Sequence, residues 1–128
     1  MPPCPKPSPR WIEKAQRKAD EAKAIKDCYR EVDRRDGSRC RICERRVCGV
    51  SMDTKRIHHH LVYRSAGGDH LPANVLSICP RCDDLIHREG KLRVTGDANK
   101  RNSEGRFCGV RVQRWVGDGK AWQCGELV

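Results

Sequence analysis

Apolar residues recur at spacings near three and four early in the chain: Trp11, Ala15, Ala22, Ile25, Tyr29 and Val32, apart from one gap where Lys18 intervenes, with charged residues on the other faces. This period matches a helical turn and predicts one amphipathic helix over residues 10–36, its apolar stripe laid on a folded body. Ser8-Pro9 supply a cap and a first-turn proline, and Arg35-Asp36-Gly37-Ser38 a terminating turn. Residues 54–63 read as a strand followed by a Gly67-Gly68 turn, and Asn74-Val75-Leu76-Ser77-Ile78 as a short apolar run. Pro80 opens a second helix reaching about Glu89, with Gly90 as its stop. Lys91 to Val94 alternates like a strand, and Thr95 to Gly105 is a polar loop. Phe107–Val112, Arg114–Val116 and Ala121–Cys124 have strand character. The chain therefore divides into a flexible proline-rich lead-in (1–9), a helix (10–36), a core (37–90) and a β-hairpin or small-sheet extension of the same domain (91–128).

Composition sharpens this picture. The 128 residues are 37% hydrophobic, with one Phe, two Tyr and three Trp, which is thin material for a conventional core. A domain so built needs a metal or crosslinks. The nine cysteines serve that need, and an odd count containing two CxxC pairs favours reduced, metal-binding thiols over a disulfide framework. With no secretory leader and no membrane-spanning apolar run evident, a reducing cytoplasmic setting is expected. The net charge is +10, with basic residues concentrated before residue 51 and after residue 90, while the stretch between is neutral. Such a layout suits a polyanion held by its phosphates around a central site.

Cys40-Arg41-Ile42-Cys43 and Cys79-Pro80-Arg81-Cys82 each place two sulfurs three residues apart, so that each pair can pinch one ion from a single turn of backbone. Together they predict a structural Zn²⁺ on Cys40, Cys43, Cys79 and Cys82, with Cys48 as a rival to Cys43. Neither pair sits in a strand-to-helix redox context. Cys4, Cys28, Cys108 and Cys124 read as free thiols, with Cys28 buried or half-buried.

The histidine run His58-His59-His60 lies between these pairs. A helix from Pro80 stacks Asp83 and His87 on one face, where a carboxylate and an imidazole can share a divalent ion. A strand histidine brought opposite can complete the set while another stays free as a base. Strict alternation puts His58 and His60 on one strand face and His59 on the other. A twisted hairpin end is expected to return the adjacent residues to one cleft. His58 is then a packing or supporting residue, and His70 a surface or substrate-contacting one. Arg64 is a candidate phosphate clamp, since guanidinium offers two matched donors.

Three stretches carry a resemblance: residues 34–43 (RRDGSRCRIC), residues 59–68 (HHLVYRSAGG), and residues 72–82 (PANVLSICPRC) with Leu85-Ile86-His87 after them. Over about residues 33–90 the chain resembles the HNH endonucleases with a zinc-stabilised ββα-metal core. The resemblance implies a small α+β fold: a ββα-metal core stabilised by a Cys4 zinc site, with an N-terminal amphipathic helix and a C-terminal β-rich extension. It implies cleavage of phosphodiester bonds in DNA, expected to be double-stranded. By position, His59 and His87 match metal ligands, His60 the general base, and Asn74 the residue that holds the hairpin loop and orients the base. A backbone carbonyl across that loop would hold the tautomer of His60. Two positions depart from the pattern: Asp83, where the family usually has His, and Tyr63, where it often has Pro. A carboxylate oxygen suits a hard ion, so Mg²⁺ or Mn²⁺ is favoured as the catalytic cation, with Ni²⁺ or Zn²⁺ as alternatives. The expected products carry 5′-phosphate and 3′-hydroxyl ends. Two other readings stand beside this one: a catalytically inactive, zinc-stabilised nucleic-acid-binding module, and a zinc-ribbon-like protein interaction module.

Overall fold

A computed structural model describes residues 2–49, 51–116 and 121–128, with residues 121–126 described as backbone only. Helix α1 spans Pro9–Asp36, followed by strand β1 (Ile57–His60), strand β2 (Val75–Ile78), helix α2 (Pro80–His87) and strands β3 (Leu92–Gly96), β4 (Val110–Val116) and β5 (Ala121–Leu127). β1 and β2 form an antiparallel pair, and β3-β4-β5 a separate antiparallel sheet. This is the α+β arrangement expected: an N-terminal helix, a ββα centre with a cysteine cluster, and a C-terminal β extension. None of the described helices is long and apolar enough to cross a membrane.

All four residues of β2 are buried, because it is covered on both faces. Val75 packs with Cys28 and Val32 of α1, while Leu76 and Ile78 join a larger cluster with Cys40, Val47, Leu61 and Cys79. That cluster also takes in Leu92, Val94, Val110 and Val112, so the extension and the ββα centre share one apolar core. Arg41 and Arg101 each hold a guanidinium 3.8 Å from the centre of the Phe107 ring, and Arg101 bridges to Phe107 in the loop between β3 and β4.

The apolar stripe of α1 is the main departure from expectation. Only its C-terminal half reaches the body: Cys28 and Val32 are buried and Ile25 and Tyr29 half-buried, whereas Trp11 is 74% exposed and Ile12 57%. A 28-residue helix is about 42 Å long, longer than the face that β1 and β2 offer it. Ser8 occupies the capping position with its backbone carbonyl accepting from Trp11 and Ile12, but its side chain makes no cap bond. At the other end Gly37 adopts φ 63° and closes the helix as expected.

The strand expected over 54–63 is shorter. Residues 52–54 form a 3-10 turn that Ser51 and Thr54 cap reciprocally, and β1 covers only Ile57–His60. Beyond His60 the opposite chain turns away through another 3-10 turn, at Pro72–Asn74. One ladder bond persists there, Leu61 N–H to the Asn74 carbonyl at 2.7 Å, after which the Asn74 side chain takes over as partner. α2 ends at His87, short of Glu89, and Gly90 turns the chain with φ 61°.

Candidate functional site

The first thiol pair sits in a tight loop closed by Cys40 N–H to the Arg45 carbonyl (2.7 Å) and by an Arg39–Arg46 bridge. Glu44, directly after Cys43, takes φ 63°, the one positive φ of a non-glycine among the described residues. The second pair opens α2: Cys79 is its N-cap and accepts from the Cys82 N–H at 3.5 Å. Folding brings the pairs together, with Cys40 Sγ 3.7 Å from Cys82 Sγ and Cys43 Sγ 3.5 Å from Cys79 Sγ. These separations are far beyond a disulfide bond. They approach the edge of about 3.8 Å that four sulfurs make around a tetrahedral zinc with Zn–S of about 2.3 Å. The four ligand atoms all lie within 4.8 Å of one another, so the donor set fits a structural Zn²⁺. Cys48 lies outside this set. Cys28 is a buried thiol, Cys4 exposed and Cys108 half-buried, while the Cys124 side chain falls outside the described residues.

A second set lies close by in the fold. His59 of β1 and Asp83 and His87 of α2 present ligand atoms within 4.8 Å of one another, and Asp83 Oδ1 is 3.5 Å from His87 Nε2. The cause is local. A helix begun by Pro80 and its Cys79 cap stacks residues 83 and 87, and β1 turns His59 toward them. The His59 and His87 rings are 5.4 Å apart, and Tyr63 lies 5.9 Å from His59 and 5.7 Å from His87, edging the pair. Burial pushes the His59 imidazole down to about 4, helped by His87 and His60, so near neutral pH its lone pair is available to a cation. Two nitrogens and one carboxylate oxygen suit a divalent ion that keeps further positions for water and phosphate.

Strand alternation holds as the sequence predicted. His58 pairs with Ser77 and His60 with Val75, on the face toward α1, while His59 pairs with Leu76. His58 stacks on Tyr29 with centroids 4.0 Å apart and places Nε2 2.6 Å from Asp33 Oδ1, a packing role. The end of β1 nevertheless opens into one cleft of about 320 Å³ lined by all three strand histidines with Arg64, Asp83 and His87. Burial lowers the His60 imidazole below its usual range, with His70 and Arg64 adding to the effect.

Asn74 ties down the loop that follows. Its side-chain oxygen accepts from Val62 N–H at 2.8 Å, and its amide donates to the carbonyls of Val62 and Asp69, both at 3.1 Å. Gly68 permits the return, since a side-chain carbon there would stand 1.8 Å from the Val62 carbonyl oxygen. Arg64 projects from the same loop, more than half exposed, and pairs with Glu21 of α1.

Two contributors, Glu21 and Asp36, were not legible as site residues, and His70 was expected only as a surface or substrate contact. His70 approaches His60, Glu21 approaches both His70 and Arg64, and Asp36 anchors the end of α1 to β2. The helical pattern marks Glu21 only as a polar-face residue, and its partners lie more than forty positions away. A charged helix face and a loop histidine carry no local signal of such a meeting.

A search of protein-family models, curated proteins and solved structures finds no significant match to this chain, so no family is assigned and the site stands on its own residues and geometry.

Proposed function

We propose that the protein is a metal-dependent DNA endonuclease that hydrolyses phosphodiester bonds to 5′-phosphate and 3′-hydroxyl ends. The observation that carries this reading is the convergence of His59, Asp83 and His87 in the cleft that His60 also lines. A divalent cation held by those three residues would draw charge from a phosphate oxygen and from the departing 3′ oxygen. His60 acts as general base: its neutral imidazole accepts a proton from the water that attacks phosphorus in line with that oxygen. Asn74 fixes the loop through its bonds to Val62 and Asp69 and so keeps His60 and Arg64 at the cleft. Arg64 exchanges the Glu21 carboxylate for a phosphate of the bound strand. The four-thiol site, holding Zn²⁺, keeps α2 and its Asp83 and His87 in register with the loop of the first pair. The basic segments that flank the neutral centre support duplex DNA as the partner, since most of its affinity comes from phosphates.

Plasmid cleavage by the purified protein with Mg²⁺, Mn²⁺, Ni²⁺ or Zn²⁺ tests this reading. The expected result is cleavage with Mg²⁺ or Mn²⁺ that His60→Ala and Asp83→Ala abolish, and breaks that DNA ligase reseals. Cleavage that survives His60→Ala would remove the base from the mechanism. Salt-sensitive DNA binding without turnover in any ion would leave the alternative, an inactive zinc-stabilised nucleic-acid-binding module.

A further inference from the structure

His60 has a partner on the side toward α1. Its Nε2 lies 3.3 Å from Nδ1 of His70, and Nε2 of His70 lies 3.4 Å from Oε1 of Glu21. The three groups come from β1, from the loop after Gly68 and from the middle of α1, so only the folded chain assembles them. His70, then Arg64, holds the Glu21 carboxyl below the usual carboxylate range, leaving it ionised and able only to accept hydrogen bonds.

With both imidazoles neutral, the direction of each bond follows from that one acceptor. Glu21 takes a hydrogen bond from Nε2–H of His70, which leaves the His70 lone pair on Nδ1. That lone pair takes a hydrogen bond from Nε2–H of His60, which leaves the His60 lone pair on Nδ1. Resting on the endonuclease reading, we infer that Glu21 and His70 are positioning residues that hold neutral His60 as its Nε2–H tautomer and make Nδ1 the atom that receives the proton from water. When Nδ1 takes that proton, the resulting imidazolium keeps its Nε2–H bond to His70, and no proton need leave along the chain. The long helix thus has a task at the cleft besides covering β2. A backbone carbonyl that took the hydrogen bond from Nδ1–H instead would fix the opposite tautomer, with the lone pair on Nε2.

The ring ¹⁵N spectra of the full-length protein, labelled at histidine and recorded where the imidazoles are neutral, decide between them. The expected result is His60 protonated at Nε2 and bare at Nδ1, with a ¹⁵N–¹⁵N coupling from Nε2 to Nδ1 of His70 that disappears in His70→Ala. His60 protonated at Nδ1 would overturn the inference. This measurement needs neither metal nor DNA, so it reads the relay even in a protein that cleaves nothing. If the wild type cleaves, His70→Ala lowers kcat about tenfold to a hundredfold with KM for DNA little changed. His70→Gln, whose side-chain oxygen can accept the same bond, recovers much of that loss. An unchanged kcat in His70→Ala, or an effect on KM alone, would make His70 a bystander or a DNA contact and overturn the proposal. Should His70→Ala fold poorly, Glu21→Ala, which removes the acceptor at the exposed end of the chain, carries the same test: loss of the Nε2-to-Nδ1 coupling is expected, and an unchanged coupling would overturn the proposal.

Discussion

Asp36 accepts a hydrogen bond from Arg41 at 2.8 Å, and this buried pair joins the last turn of α1 to the first thiol loop. The same carboxylate accepts from Arg35 at 2.6 and 2.8 Å and from the Ser77 N–H of β2 at 3.0 Å. Burial alone would raise the Asp36 carboxyl, but the bonds from Arg35, Ser77 and Arg41 outweigh it and hold it below its usual range. A carboxyl whose pKa is lower folded than unfolded contributes stability above its unfolded value, and loses it as pH falls through the folded one. Asp36→Asn removes the charge and strands a buried guanidinium, costing about 3–5 kcal/mol. Denaturant titrations should show that gap intact from neutral pH to about pH 5 and closing below about pH 4, as the wild-type carboxyl protonates.

Removal of a structural zinc should unfold the core, because Cys40, Cys79 and Cys82 are themselves part of the apolar cluster. Elemental analysis is expected to find zinc equimolar with protein, and a strong chelator to abolish the cooperative thermal transition. Cys43→Ser should lose the zinc. Cys48→Ser, outside the four-sulfur set, should retain it.

Glu44 holds a left-handed conformation that costs a residue with a side chain about 1–2 kcal/mol relative to glycine. Glu44→Gly should therefore stabilise the zinc-loaded protein by about 1 kcal/mol, after allowing for the greater freedom of glycine in the unfolded chain. Chemical denaturation at saturating zinc checks the sign.

On the endonuclease reading, Asp83 would set the hardness of the second metal position. Asp83→His exchanges its oxygen for a nitrogen, and should lower cleavage in Mg²⁺ at least tenfold while favouring Ni²⁺ or Zn²⁺ over Mg²⁺. Rates measured in each ion on one plasmid substrate test the reversal, and an unchanged ion order would take Asp83 out of the ligand set.

Much of this architecture is written in short-range signals. Two CxxC spacings specify how each thiol pair can grip, and Pro80 with the i, i+4 relation of Asp83 and His87 specifies how the second helix presents its ligands. Strand alternation, a property of the backbone itself, separates His59 from His58 and His60 without reference to the rest of the molecule.

Local rules could not say how much of a helix the body would cover. The apolar stripe of α1 runs from Trp11 to Val32 with one gap at Lys18, yet Val32 is buried while Trp11 stands in solvent, because only β1 and β2 are there to receive it. Nor could they join Glu21 to His70 or Asp36 to Ser77, since those bonds depend on where α1 comes to rest across the β1–β2 pair. Sequence by itself determined the metal-gripping spacings and the faces of each element, because backbone geometry sets those over a few residues. Tertiary packing alone decided which charged groups meet across the cleft, because burial and hydrogen-bond partners arise only when distant segments close on one another.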